Sequence, residues 1–115
     1  MNIARRFTTE RVSKVVVYND TVYLSGQVAE DVDENIVGQS KSTLSRVEHF
    51  LAEAGTDKSK ILSALIHIKH TADAPTFNEI WNAWLPEGCA PARTCVQANM
   101  LREAVLIEIT VVAAQ

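Results

Sequence analysis

The sequence predicts an α+β domain in which a single sheet carries both helices on one face, with elements in the order strand, strand, strand, helix, strand, helix, strand, strand. Three observations carry this. Two short runs rich in β-branched residues flank Asn19-Asp20, two later segments repeat apolar residues at three and four, and the final dozen residues alternate along a strand-like period.

Ile3 to Thr8 reads as an opening strand and Ser13 to Tyr18 as a second, the latter holding Val15, Val16 and Val17. Asn and Asp tolerate left-handed backbone, so Asn19-Asp20 makes a two-residue hairpin turn into a third strand, Thr21 to Ser25. Gly26 closes that strand, in YLSGQ. A glycine there permits either a close approach of something to the backbone or a positive φ. From Ile36 to Ala54 the residues Ile36, Leu44, Val47, Phe50, Leu51 and Ala54 keep the spacing of one helical face, with Lys41, Arg46, Glu48 and Glu53 on the solvated side. Gly55 stands where a left-handed C-terminal cap belongs.

Asp57 to Lys60 is a polar connector, and Ile61 to Lys69 is too short and too branched for a second such helix, so it reads as a buried strand. Asp73 is a plausible N-cap, with Pro75 in the first turn where its missing N–H costs nothing. The helix it opens runs to about Leu85 on a stripe of Phe77, Ile80, Trp81, Trp84 and Leu85. Pro86, Gly88 and Pro91 then break the chain, and Arg93 to Ala98 and Val105 to Ala113 read as the last two strands.

Composition narrows the function classes. A chain of 115 residues is one domain, and 47% hydrophobic with 22% charged residues is ordinary globular usage. The net charge of -3 provides no basic field for phosphate backbones, which argues against nucleic acid as a partner. No apolar run approaches the roughly 18 residues of a membrane span, and MNIARRFTTE holds no signal-like apolar core, so the expected location is cytoplasmic. Cys89 and Cys95 lack metal-like spacing and give neither a disulfide framework nor a zinc site. His49, His67 and His70 are scattered and read as surface or packed histidines rather than ligands.

The last strand sharpens the picture. Val105, Ile107, Ile109, Val111 and Ala113 point one way and belong under the helices; Leu106, Glu108, Thr110 and Val112 point the other. That second face is still half apolar and nothing in the chain remains to cover it, which predicts self-association. In the strand after Pro91, Arg93, Cys95 and Gln97 share a face. Polarity assigns Arg93 and Cys95 to the face of Glu108, away from the helices. A guanidinium, a thiol and a carboxylate are thereby expected to converge. They form either a plain Arg93–Glu108 ion pair, across a subunit contact, or a site in which Arg93 binds a small carboxylate and Glu108 orients or deprotonates a water. Cys95 reads as a small buried hydrophobe rather than a nucleophile, since no histidine adjoins it in sequence.

Five motifs extend this reading: VYLSGQ at 22–27, LAEAG at 51–55, Asn78 with Trp81 and Trp84 in an N-x-x-aromatic-x-x-aromatic helix, PARTCV at 91–96, and IEI at 107–109. With these, nearly the whole chain resembles the RidA (YjgF) reactive-intermediate deaminases. The resemblance implies a chorismate-mutase-like fold, βββαβαββ, with one mixed sheet, assembled as a homotrimer whose sheets form a central barrel and whose inter-subunit clefts bind small carboxylates. It implies hydrolysis of 2-imino and enamino acids to 2-oxo acids and ammonia, with no metal or organic cofactor. By the same resemblance Arg93 grips the substrate carboxylate, Glu108 activates water, Gly26 contributes backbone, Cys95 lines the cleft, Trp84 walls it from a neighbouring subunit, and Asn78 is structural. The N-terminal RRFTTERVSK lacks the family's Gly-Pro-x-Ser or Gly-x-Tyr pattern, the mark of a divergent subfamily. The competing class is a non-catalytic trimer that binds small carboxylate metabolites such as 2-oxo acids, which needs Arg93 but not Glu108. An endoribonuclease activity fits the acidic charge poorly.

Overall fold

A computed structural model describes residues 2–115. Six strands, β1 (Ile3–Thr8), β2 (Ser13–Tyr18), β3 (Thr21–Leu24), β4 (Ile61–Ile68), β5 (Ala92–Gln97) and β6 (Ile107–Ala114), form one sheet with two helices, α1 (Ile36–Glu53) and α2 (Ala74–Trp84). Single 3-10 turns at Lys58–Lys60 and Thr71–Asp73 lead into β4 and α2. The sheet order is β1-β2-β3-β6-β4-β5. All neighbours are antiparallel except β4 and β5, which the α2 crossover makes parallel. The expected α+β class and element order are present.

Local chemistry accounts for the boundaries. Asn19 takes φ 54 at the β2–β3 turn, the left-handed conformation its side chain tolerates. Asn35 caps α1 by accepting from the Gly38 N–H at 3.0 Å, and Gly55, at φ 81, ends it, with the Thr56 N–H bonded to the Leu51 carbonyl at 3.0 Å. Asp73 precedes α2 without a side-chain cap bond; the Pro in the first turn and the preceding 3-10 turn set that start instead. The last strand begins at Ile107 rather than Val105. Val105 is nonetheless buried, and its N–H closes a turn onto the Arg102 carbonyl at 3.1 Å.

The core lies between the helices and one face of the sheet. Leu44, Val47 and Leu51 of α1 and Phe77 and Trp81 of α2 pack on Ile66 and Ile68 of β4 and on Ile107, Ile109 and Val111 of β6, all essentially buried. At roughly 1.5–3 kcal/mol for each large apolar side chain removed from water, this layer dominates stability. The opposite face is bare. Val16 of β2, Tyr23 of β3, Thr110 and Val112 of β6, Leu65 of β4 and Thr94 and Val96 of β5 line it by strand alternation and register. Tyr23, Leu65 and Val96 stand 44%, 39% and 41% exposed, which is the half-apolar open face the alternation predicts. No described helix is long and apolar enough to cross a membrane.

Candidate functional site

Glu108 projects from β6 onto the open face, in the middle of the sheet between β3 and β4. Its neighbour in space is Gly26. The Gln27 and Ile109 backbones exchange hydrogen bonds at 2.9 and 3.0 Å, which lays the SGQ turn against β6. A Cβ on Gly26 would stand 2.8 Å from Glu108 Cδ and 2.9 Å from Oε2, so the glycine is there for close approach and not for a positive φ. Glu108 and Gly26 open into a cleft of about 580 Å³, whose far wall is the segment 98–105 with Met100, Leu101 and Arg102.

Buried Gln39 of α1 braces that cleft. Its Nε2 donates to the carbonyls of Val32, Glu34 and Ala104 at 3.0, 3.0 and 2.9 Å, and its Oε1 accepts from the Leu106 N–H at 2.9 Å. One amide thus ties the 28–35 loop and the 98–106 segment to the same helix. Outside, Lys69 Nζ meets Glu103 Oε1 at 2.8 Å, and this bond holds the Glu103 carboxyl below its ordinary value of 4.5.

Arg93 is elsewhere. In the parallel β4–β5 register Arg93, Cys95 and Gln97 stand beside Ala64, Ile66 and Ile68, which face the helices. The expectation that Arg93 and Cys95 share the face of Glu108 is therefore overturned. The physical reason is the position of β5 at the sheet edge, where a side chain on the helix side still reaches water beside α2. The guanidinium carbon lies 5.7 Å from the Phe77 ring and 5.5 Å from the Trp81 ring, and Nη2 donates to Asn78 Oδ1 at 2.7 Å. Asn78 is thus the hydrogen-bond partner of Arg93. No ion pair joins Arg93 to Glu108 within the chain.

Cys95 is half-buried against the core on the helix side, and so shares a surface with Arg93 but not with Glu108. Trp84 is not brought to either group. Its ring packs on Trp81 at 5.5 Å and under Lys58 at 5.1 Å, and its Nε1 donates to Glu48 of α1. That contact also removes Glu48 from the freely solvated set. The residue that sequence reasoning passed over is His67. It pairs with Glu108 across β4 and β6, and its Nδ1 lies 3.5 Å from Glu108 Oε1. Its place was readable from the odd-numbered parity it shares with Leu65.

The chain thus carries an aromatic-clamped guanidinium at one edge and an unbonded carboxylate in a cleft on the other face. Comparison with known proteins matches this architecture. Residues 4–115 fit the sequence model of the family described as Endoribonuclease L-PSP. The RutC family protein YoaB of Escherichia coli (strain K12) is 37% identical over 114 residues, covering 99% of both chains. The 3-aminoacrylate deaminase RutC of Acinetobacter baylyi is 31% identical over 101 residues, covering 83% of this chain and 79% of that protein. Among solved structures, a member of the YjgF protein family from Neisseria meningitidis superposes with a TM-score of 0.96 at 36% identity, covering 100% of this chain and 96% of that one. With its fold, its full-length sequence match and its near-superposable relative in agreement, the chain belongs to the RidA (YjgF) family.

Proposed function

We propose that this protein hydrolyses small 2-imino and enamino acids to 2-oxo acids and ammonia, in a site that two copies of the chain build together. One observation carries the proposal: among the described residues Arg93 is held ready by Asn78, Phe77 and Trp81 yet has no carboxylate partner, while Glu108 makes no hydrogen bond and only a 3.5 Å approach to His67, and the two lie on opposite faces of one sheet. Neither half is useful alone. A homotrimer packing its open faces into a central barrel covers Tyr23, Leu65 and Val96 and sets the β5 edge of one copy beside the Glu108 cleft of the next.

In that cleft Arg93 takes the substrate carboxylate in a forked, charge-assisted pair. Glu108 removes a proton from a water as it attacks the imine carbon and passes it to the nitrogen; it then takes the hydroxyl proton of the resulting carbinolamine and delivers it to the nitrogen as ammonia departs and the 2-oxo acid forms. Imines are already electrophilic, so positioning supplies most of what is needed. Cation, carboxylate and water suffice for the step, without cofactor or metal. The name of the Acinetobacter baylyi relative, a deaminase of an aminoacrylate, supports the substrate class. A cytoplasmic location suits a reaction on intermediates released by other enzymes.

The test is to generate 2-imino acids with an amino-acid oxidase and follow their decay. Arg93→Ala and Glu108→Gln should each be inactive, and co-folding the two should restore activity at about a quarter of the sites, as random mixing of chains requires when each site draws on two copies. Wild-type decay no faster than buffer would end the enzymatic reading and leave a carboxylate-binding trimer, in which 2-oxo acid binding survives Glu108→Gln and is lost in Arg93→Ala.

A further inference from the structure

We infer that His67 is the positioning residue of Glu108, an assignment that rests on the deaminase reading above and extends it to a residue outside the Arg93–Glu108 pair. Three observations meet at this ring. His67 is the cross-strand partner of Glu108, so both side chains rise from the open face and line the same cleft. Nδ1 lies 3.5 Å from Glu108 Oε1, a few tenths of an ångström beyond a normal hydrogen bond. That nitrogen is sealed from solvent and has no hydrogen-bond partner, a condition that costs about 1–3 kcal/mol unless it is relieved.

The surroundings leave one way to relieve it. From β5 the ring faces Val96, an apolar neighbour in register; from β6 it faces Glu108; from the 98–105 segment the charged group lining the cleft is Arg102, which cannot accept a hydrogen bond. On the two-copy reading the other charge to arrive is the neighbouring copy's Arg93, again a donor only. Glu108 Oε1 is thus the acceptor in reach. A small side-chain rotation closes the contact, with Nδ1–H donating to Oε1.

The geometry then separates the two carboxylate oxygens. Oε1 is occupied by His67, and Oε2, on the Gly26 side, is the one left to take a proton from water. Water adds through a new C–O bond, and its first proton goes to Oε2 and on to the nitrogen, giving a carbinolamine; the hydroxyl proton then passes by the same oxygen to the nitrogen as the C–N bond breaks, leaving the 2-oxo acid and ammonia. His67 gains and loses nothing in this sequence. It holds the base in one rotamer.

Kinetics of the full-length protein test this through His67→Phe, which keeps the ring and removes the donor, and His67→Asn, whose amide nitrogen takes the place of Nδ1 without titrating. His67→Phe should lower kcat about tenfold with KM changed by less than about twofold, as loss of base positioning requires. His67→Asn should recover most of kcat. Wild-type kcat in His67→Phe, or no recovery in His67→Asn, overturns the assignment. NMR of the imidazole reads the same contact without turnover. The His67 Nδ1–H and ring resonances should move in Glu108→Gln, where the carboxylate is gone, and unmoved resonances also overturn the assignment. If the wild type fails to accelerate imine decay, the deaminase reading is lost, and the NMR measurement alone decides whether His67 and Glu108 are paired.

Discussion

The carboxylate and the guanidinium of this protein are placed by different means. Glu108 sits on β6, flanked by β4 on one side and by the Gln27–Ile109 bridge on the other, so backbone hydrogen bonds and the close approach of Gly26 determine where its side chain begins. Arg93 sits on the edge strand β5, and its position depends on three side chains of α2: the rings of Phe77 and Trp81 and the amide of Asn78. The anion is aimed by the sheet and the cation by a helix. Substitutions around the first should disturb geometry and turnover together, whereas substitutions around the second should loosen substrate binding and leave the fold intact.

The sharpest break is Arg93→Lys. It keeps the charge but loses the forked donors and the stacking on Phe77 and Trp81, and kcat/KM on 2-imino acids should fall roughly 10- to 100-fold, since hydrogen bonds to charged groups contribute about 1.5–3 kcal/mol each. A near-wild-type Lys variant would mean that charge alone anchors the substrate. Gly26→Ala comes next. The new methyl meets Glu108 Cδ at 2.8 Å, so the carboxylate must swing away. Thermal denaturation should show a loss of about 1–3 kcal/mol, typical of overpacking, and kcat should drop about tenfold with KM little changed. Asn78→Ala should act on KM alone, raising it several-fold for the loss of one hydrogen bond worth about 1–1.5 kcal/mol. A fall in kcat without a rise in KM would blur the division between the two halves.

The smallest effect concerns pH. Lys69 holds the Glu103 carboxyl below its ordinary 4.5, so this contact adds stability above that pH and loses it as pH falls through the lowered folded value. Both partners are on the surface side of the cleft wall, with Glu103 97% exposed, so the contribution is minor. Hydrogen-exchange protection across 98–106, corrected for the intrinsic pH dependence of exchange, should fall on acidification below the ordinary glutamate range and stay constant in Glu103→Gln.

Much of the fold was legible because its signals are local. The Asn19 turn, the Gly55 cap, the α1 stripe and the alternation of Ile107, Ile109, Val111 and Ala113 each follow from the conformational limits of a few residues. What was illegible depends on register between strands. Polarity assigned Arg93 to the open face, but the parallel pairing that decides its side exists only once α2 has crossed over, and an edge strand relaxes the penalty for a charge on the helix side. A bulge between Ile61 and Ser63 similarly puts Ile61 and Ala64 both on the core side, which no simple alternation of ILSALIHI foretells. Glu108 was identified correctly as a group on the open face. His67 was missed because histidines were judged by their spacing to one another rather than by the strand facing them.

Gln39 has a consequence for selectivity. A cleft whose two walls hang from a single saturated amide is shaped when the chain folds, before any ligand arrives. On the deaminase reading, such a cleft selects by the space beside Glu108 rather than by closing around its substrate.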